Sequence, residues 1–201
     1  MRNDYGILRF DSPKEATMDY SKVEHLIGVD SPRHPPHDVV SDTDVDHWCQ
    51  YMQDTNPIYT DEEYAKTTEH KGLLAPSAMV HVFCLGSLRP CLEQFVEGKF
   101  QYPTDPNNQV NVIIEEEGYT GVMATAQTQQ HFKSIKVGDE VFWTLQMAKF
   151  STYDHLSRQG VGRKYTMLYQ FYNQHDELLC KQSFDVLVYR PPMVTRRLYA
   201  G

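Results

Sequence analysis

No apolar stretch in the 201-residue chain approaches the roughly 20 residues that cross a bilayer. The opening MRNDYG is polar and does not read as a secretory signal. A cytoplasmic protein with no membrane span is the expectation. Cysteines are few and scattered: Cys49, Cys84, Cys91 and Cys180. Cys84 and Cys91 could share a helix face, but no four-ligand spacing is present, so reduced core or near-core thiols are expected and no metal. Cations are also scarce, with 19 Lys and Arg against 27 Asp and Glu and a formal charge of −8. That balance disfavours a nucleic-acid footprint. The shortage is sharpest from His34 to Tyr64, which holds eight acidic residues (Asp38, Asp42, Asp44, Asp46, Asp54, Asp61, Glu62, Glu63) and no Lys or Arg.

What remains is a globular composition, 40% apolar, long enough to bury a sizeable core. Three divisions are expected: an N-terminal extension over 1–38 that packs on the domain, a domain over 39–191, and a tail over 192–201. Asp19 to Ile27 predicts a helix with Val23, Leu26 and Ile27 inward, stopped by Gly28. Pro32, Pro35 and Pro36 then predict an irregular segment. Val39-Val40 enters a helix starting near Ser41 to Asp44, whose apolar face carries Val45, Trp48, Cys49 and Met52 at spacings of three and four.

That helix feeds Tyr51 to Val80, the most informative stretch. In Asp54-Thr55-Asn56-Pro57 the Asp and Asn side chains can bond nearby amides and the proline fixes its own φ, which predicts a rigid turn. Asp54 and the phenol of Tyr59 could converge on one reactant for acid and base chemistry. Alternatively, Asp54 and Asn56 only cap and brace the turn. A helix is expected from about Asp61 to Thr68, with Thr60 as N-cap and Glu63 three positions on. Ser77 is expected to cap a second helix with Met79, Val80, Phe83 and Cys84 on its apolar face.

Beyond it, Gly98 to Asn108 reads as a loop and Gln109 to Glu117 as a strand, from the alternation of Val110, Val112 and Ile114. Further strands are expected over Thr125 to Phe132, Val141 to Phe150, Arg163 to Asn173 and Leu178 to Tyr189, with turns at Val137-Gly138-Asp139 and Gln174 to Glu177. A helical first half followed by strands predicts an α+β domain. Arg158 and Arg163 could contact phosphates or face solvent, and solvent is the expectation for long basic side chains.

The run Asp54-Thr55-Asn56-Pro57-Ile58-Tyr59-Thr60-Asp61, with Glu63-Tyr64-Ala65 and Gly72-Leu73-Leu74-Ala75-Pro76 behind it, resembles the conserved region of MaoC-like hydratases and dehydratases, in particular the FAS1-like dehydratase type. The order of the later turn signals extends the resemblance over Val39 to Pro191. It implies a hotdog fold, an antiparallel curved sheet wrapped around a long central helix, with Val80, Phe83, Cys84 and Leu88 on that helix's buried face. It also implies a substrate, a 2-enoyl-CoA or 3-hydroxyacyl-CoA carried as a CoA or acyl-carrier thioester, and no further cofactor. Carried over residue by residue, Asp54 and Asn56 match the catalytic motif, while Gly72, Leu74, Ala75 and Pro76, with Arg158 and Arg163, are the candidate substrate contacts. The family's histidine position is occupied by Tyr59, whose ordinary pKa of about 10 against about 6.5 for histidine makes it a poor base near neutrality.

The resemblance therefore implies a degenerate half-site and a second hotdog subunit carrying the complete Asp/His pair, or a homodimer. Two other readings stay open, a non-catalytic protein that binds an acyl thioester and an active homomer using Asp54 with Tyr59.

Overall fold

The computed structural model describes residues 18–85 and 105–191. Its elements begin with α1 (Ser21–Glu24), α2 (Asp42–Met52), α3 (Pro57–Thr60) and α4 (Glu62–Thr67). The strand β1 (Leu74–Ala75) and a 3-10 helix over Ser77–Cys84 follow, and later α5 (Pro106–Glu116). The rest is strand: β2 (Gly121–His131), β3 (Ile135–Lys136), β4 (Phe142–Phe150), β5 (His155–Ser157), β6 (Gly160–Tyr172) and β7 (Leu178–Arg190). The main sheet is antiparallel in the order β2-β7-β6-β4, with β5 added to β6, while β1 and β3 form a separate two-stranded ladder.

Alternation decides which sheet face is buried. In β4 the residues Trp143, Leu145 and Met147 point inward, with Val141 just before the strand on the same face. The core has two parts. One is covered by Val45 and Cys49 of α2 with Met79 and Val80 of the 3-10 helix, and the other by Val23 of α1 with Val110 and Ile114 of α5. Each fully buried Val contributes on the order of 1.5–3 kcal/mol relative to exposure.

The N-terminal segment runs along the outer edge of β4. Single antiparallel bridges join Asp30 to Gln146 and His34 to Trp143, and Val39 bridges to Glu140 just before the strand. Strands β4, β6 and β7 start and end within three residues of expectation.

Four expectations are corrected. First, among the described residues the sheet is neither closed nor strongly curled around a helix; β2 and β4 are its two ends and do not pair with each other, which overturns the curved wrap implied by the family resemblance. The element after Pro76 is an eight-residue 3-10 helix with no side-chain cap, and Leu88 lies outside the described residues. Second, Gln109 to Glu117 is helical, as part of α5. Asp105 caps it by accepting from Asn107 N, Pro106 stands in its first turn, and Val110 and Ile114, four apart, are its buried stripe. Third, the cap of α4 is Asp61, accepting from Tyr64 N at 2.9 Å, since Thr60 closes α3. Fourth, the helix expected over Asp19 to Ile27 is regular only over Ser21–Glu24, although Val23 and Leu26 are buried as predicted.

Candidate functional site

The motif turn is built from its own side chains. Ser41 caps the start of α2, its Oγ accepting from Asp44 N at 3.0 Å, and Gln53, held at φ +56°, caps its end. Asp54 follows immediately and its Oδ1 accepts from Asn56 N at 3.1 Å. Asn56 Oδ1 accepts in turn from Ile58 N at 3.2 Å, which makes it the N-cap of α3, with Pro57 in the first turn. Both polar groups of the motif thus brace the local backbone.

Tyr59, one turn later, is half-buried and packs, as Trp48 does, against the first core cluster. Burial pushes its phenol above the ordinary range, and the nearby charge of Asp54 pushes it further in the same direction. This is opposite to what a general base at Tyr59 would need.

Of the other candidate contacts, Gly72 is partly exposed and has open space where a side chain would project. Leu74 and Ala75 are buried in β1, paired with Lys136 and Ile135, and Pro76 is buried beside them. The pairing with Lys136 sets this passage beside an open cleft of about 650 Å³, lined by Lys133, Lys136, His70, His175, Asp139 and Glu177 among others. Arg158 is exposed in the turn between β5 and β6.

Arg163 departs from the solvent-facing expectation. It has 0% exposure; Nη1 donates to Ser151 O at 2.7 Å, Nη2 to Met18 O at 3.0 Å, and Nε forms an ion pair with Asp154 Oδ1 at 2.6 Å. Its guanidinium clamps the N-terminal segment to β6.

Two polar constellations join residues far apart in the chain. His34, 2% exposed, places Nε2 3.0 Å from Asp105 Oδ2 and stacks on Trp143 with ring centroids 3.7 Å apart. Burial pushes the Asp105 carboxyl up, but hydrogen bonds from His34 and Asn107 outweigh it and hold the group below its ordinary value. The second is Gln182, buried in β7. Its Nε2 lies 2.7 Å from His81 Nδ1, and its Oε1 accepts from Gln127 and Gln129 of β2. With Gln182 donating, His81 Nδ1 is the acceptor and Nε2 carries the ring hydrogen. Burial lowers the His81 pKa. Cys84 Sγ is 3.6 Å from the same Nδ1, yet burial pushes that thiol up to about 12, so the pair is no thiolate nucleophile. Gln127 and Gln129, two apart along β2 and so on one face, are a sequence signal for this group.

Cys49, Cys84 and Cys180 are free thiols, and Cys91 lies outside the described residues. Among the described residues no set of three His, Cys, Asp or Glu is placed to hold a metal, and no helix is long and apolar enough to cross a membrane.

Comparison with known proteins adds to this geometry. A protein of Thermomonospora curvata described as a probable enoyl-CoA hydratase alpha subunit is 27% identical over 145 residues, 72% of this chain and 43% of that protein. The 3-oxo-4,17-pregnadiene-20-carboxyl-CoA hydratase alpha subunit of Mycobacterium tuberculosis is 27% identical over 165 residues, 77% of this chain and 46% of that one. The chain thus spans less than half the length of these curated relatives. Among solved structures, the ChsH1–ChsH2 complex of Mycobacterium tuberculosis contains a chain that superposes with a TM-score of 0.71 at 22% identity, covering 85% of this chain and 90% of that one, a likeness of fold. The profile of the FAS1-like dehydratase domain region matches residues 25–182, from the end of α1 into β7, and the chain belongs to that family.

Proposed function

We propose that this chain is a supporting subunit of a hydratase or dehydratase acting on 2-enoyl-CoA and 3-hydroxyacyl-CoA thioesters, and that the complete Asp/His pair is carried by a second, related chain. The observation that carries the reading is Tyr59 at the family's histidine position, with its phenol raised further by burial and by Asp54. At neutral pH even an unshifted phenol is deprotonated in only about one molecule in a thousand. Asp54 and Asn56 point the same way, since each already accepts a backbone hydrogen bond within its own turn.

In the assembled enzyme the histidine of the second chain would take a proton from water as the oxygen attacks C3 of the enoyl thioester. The electron pair moves to the thioester oxygen, held by donors aimed at it, and C2 is then protonated. This chain's part is to complete the walls of the acyl site and hold the second chain. The relatives named as alpha subunits support a multi-subunit assembly. So does β2, an 11-residue strand with no described neighbour on its outer edge and no Lys, Arg, Asp, Glu or Pro to discourage pairing.

The test is the loss of enoyl-thioester absorbance with the chain alone and mixed with a related chain bearing an intact Asp, Asn-Pro and His motif. The expected result is no hydration alone, turnover in the mixture, and turnover retained in the Tyr59→Phe mixture. Hydration by the lone chain that disappears with Tyr59→Phe would overturn the proposal.

A further inference from the structure

The core face of the main sheet changes character across its width, and one histidine stands at the change. Directly opposed side chains form rows over four strands. One row runs Leu145, Tyr169, Gln182 and Gln129 from β4 to β2, and the next runs Met147, Met167, Phe184 and Gln127. Both rows begin apolar on β4 and β6 and end in an amide on β2. None of these residues is charged. The two core clusters meet over them: Met167 and Phe184 pack against both clusters and are fully buried in neither. Gln129 is half-buried and Gln127 exposed, so cover thins toward β2.

His81 comes down on this boundary from the 3-10 helix. Its ring stands edge-on to Tyr169, with centroids 5.3 Å apart, and stacks on Phe184 at 5.7 Å. Two steps of hydrogen bonding fix its tautomer. The Nε2 groups of Gln127 and Gln129 both donate to Gln182 Oε1, which turns the Nε2 of Gln182 toward the ring. At 2.7 Å from it, His81 Nδ1 accepts, and the ring hydrogen is on Nε2. Burial lowers the pKa of the ring, which keeps it neutral at pH 7. The ring is half-buried, and its Nε2 has no hydrogen-bond partner among the described residues. A core histidine needs one partner for its acceptor nitrogen, and Gln182 supplies it. The two glutamines of β2 add orientation, which leaves a single uncharged donor beside Met167 and Phe184. An apolar surface with one or two placed polar groups is the common form of a small-molecule site. With no cation in either row, an uncharged acceptor oxygen suits this donor, and a carboxylate would be desolvated without compensation.

We propose that this boundary receives the acyl group of the substrate, its hydrocarbon body lying on Met167 and Phe184 and a ketone oxygen on that body accepting from His81 Nε2–H. The inference rests on the reading of the chain as part of an acyl-thioester hydratase. It makes His81 a specificity-determining residue and Gln182 the residue that positions it.

The experiment is titration calorimetry with saturated acyl-CoAs, which have no double bond to hydrate, on the full chain and on its mixture with the Asp/His-bearing chain. Octanoyl-CoA is the reference, and oxo-octanoyl-CoAs place a ketone at successive carbons from C4 to C7. At least one isomer should bind roughly fivefold more tightly than octanoyl-CoA, the effect of one neutral hydrogen bond. His81→Phe should bring that ratio to about one. The ratio is read within each variant, so a general loss of affinity does not imitate it. Octanedioyl-CoA, which carries a carboxylate on the chain, should bind more weakly than octanoyl-CoA. Nitrogen NMR of the parent should show the hydrogen of the His81 ring on Nε2. Ratios near one for every isomer, a preference that survives His81→Phe, tighter binding of octanedioyl-CoA, or a hydrogen on Nδ1 would each overturn the inference and leave the supporting-subunit reading standing. Failure of both chain and mixture to bind any acyl-CoA would sink that reading and the inference together.

Discussion

The motif turn and the clamp on the N-terminal segment use the same chemistry at opposite range. In the turn, Asp54 and Asn56 accept from backbone amides two residues away, in partly or fully exposed positions. In the clamp, Asp105 holds His34 across 71 residues of sequence, and Arg163 holds Met18 O across 145, both in near-complete burial. A local bond in water replaces one that water would supply, so its net worth is small. A long-range bond in the interior leaves a desolvated partner behind when it is cut. The turn that marks the family is thus the less costly of the two to damage.

The largest expected effect tests that ranking. Arg163→Met keeps much of the side-chain volume but leaves the carbonyls of Ser151 and Met18 without this donor and Asp154 with the Tyr119 hydroxyl but no cation. A loss of about 3–5 kcal/mol in urea unfolding is expected, the range for removing one member of a buried ion pair. Next comes Asp105→Asn, which keeps the cap on α5 but loses the charge facing His34. About 1–3 kcal/mol is expected. This substitution also has a pH signature. The folded Asp105 pKa is depressed, so its stabilisation is present in full above the unfolded carboxyl's ordinary 3.8 and is lost as pH falls below that through the folded value. Unfolding titrations should therefore show a steeper acid limb in the parent than in Asp105→Asn, and identical limbs would remove the pair from the clamp.

The same contrast of range explains what could be seen in the sequence. The strands β4, β6 and β7 were legible because alternation is local: Trp143, Leu145 and Met147 announce one buried face without knowledge of what covers it. The motif turn is legible for the same reason, down to the backbone hydrogen bonds that Asp54 and Asn56 accept. The α5 helix is hidden in the sequence because Val110, Val112 and Ile114 satisfy a period of two as well as Val110 and Ile114 satisfy a spacing of four. The deciding signal was the start, Asp105-Pro106, which reads equally as a loop. His34 lies in a proline-rich run with no periodicity, and nothing local points to an aspartate 71 residues away. The general habit of arginine places Arg163 in solvent, and a strand-borne clamp overrides it. The curl of the sheet was not legible at all, since closure depends on twist and pairing summed over every strand.

On the turn itself the expected losses are smaller. Asn56→Ala removes the cap of α3 and should cost about 1 kcal/mol in thermal or urea unfolding. A loss as large as that of Asp105→Asn would erase the distinction between the two regions.

Asp54→Asn sharpens the comparison most although it changes stability least. The amide retains an Oδ1 that can accept from Asn56 N, so the turn should survive with a change within about 0.5 kcal/mol. What changes is the charge beside Tyr59. Because Asp54 adds to the upward push on that phenol, its removal should lower the Tyr59 pKa while burial keeps the group above its ordinary value. Titration of the Tyr59 ring by NMR, assigned through Tyr59→Phe, reads this directly. If Asp54 acts only as a brace, hydration by the proposed two-chain assembly should stay within about twofold in Asp54→Asn, since no interaction confined to the transition state is lost. If Asp54 instead works on the reacting water, the same substitution should cut turnover by roughly a hundredfold or more while leaving the fold untouched. The turn would then be a working half-site, and its exposure and local bonding would no longer separate it from the catalytic machinery.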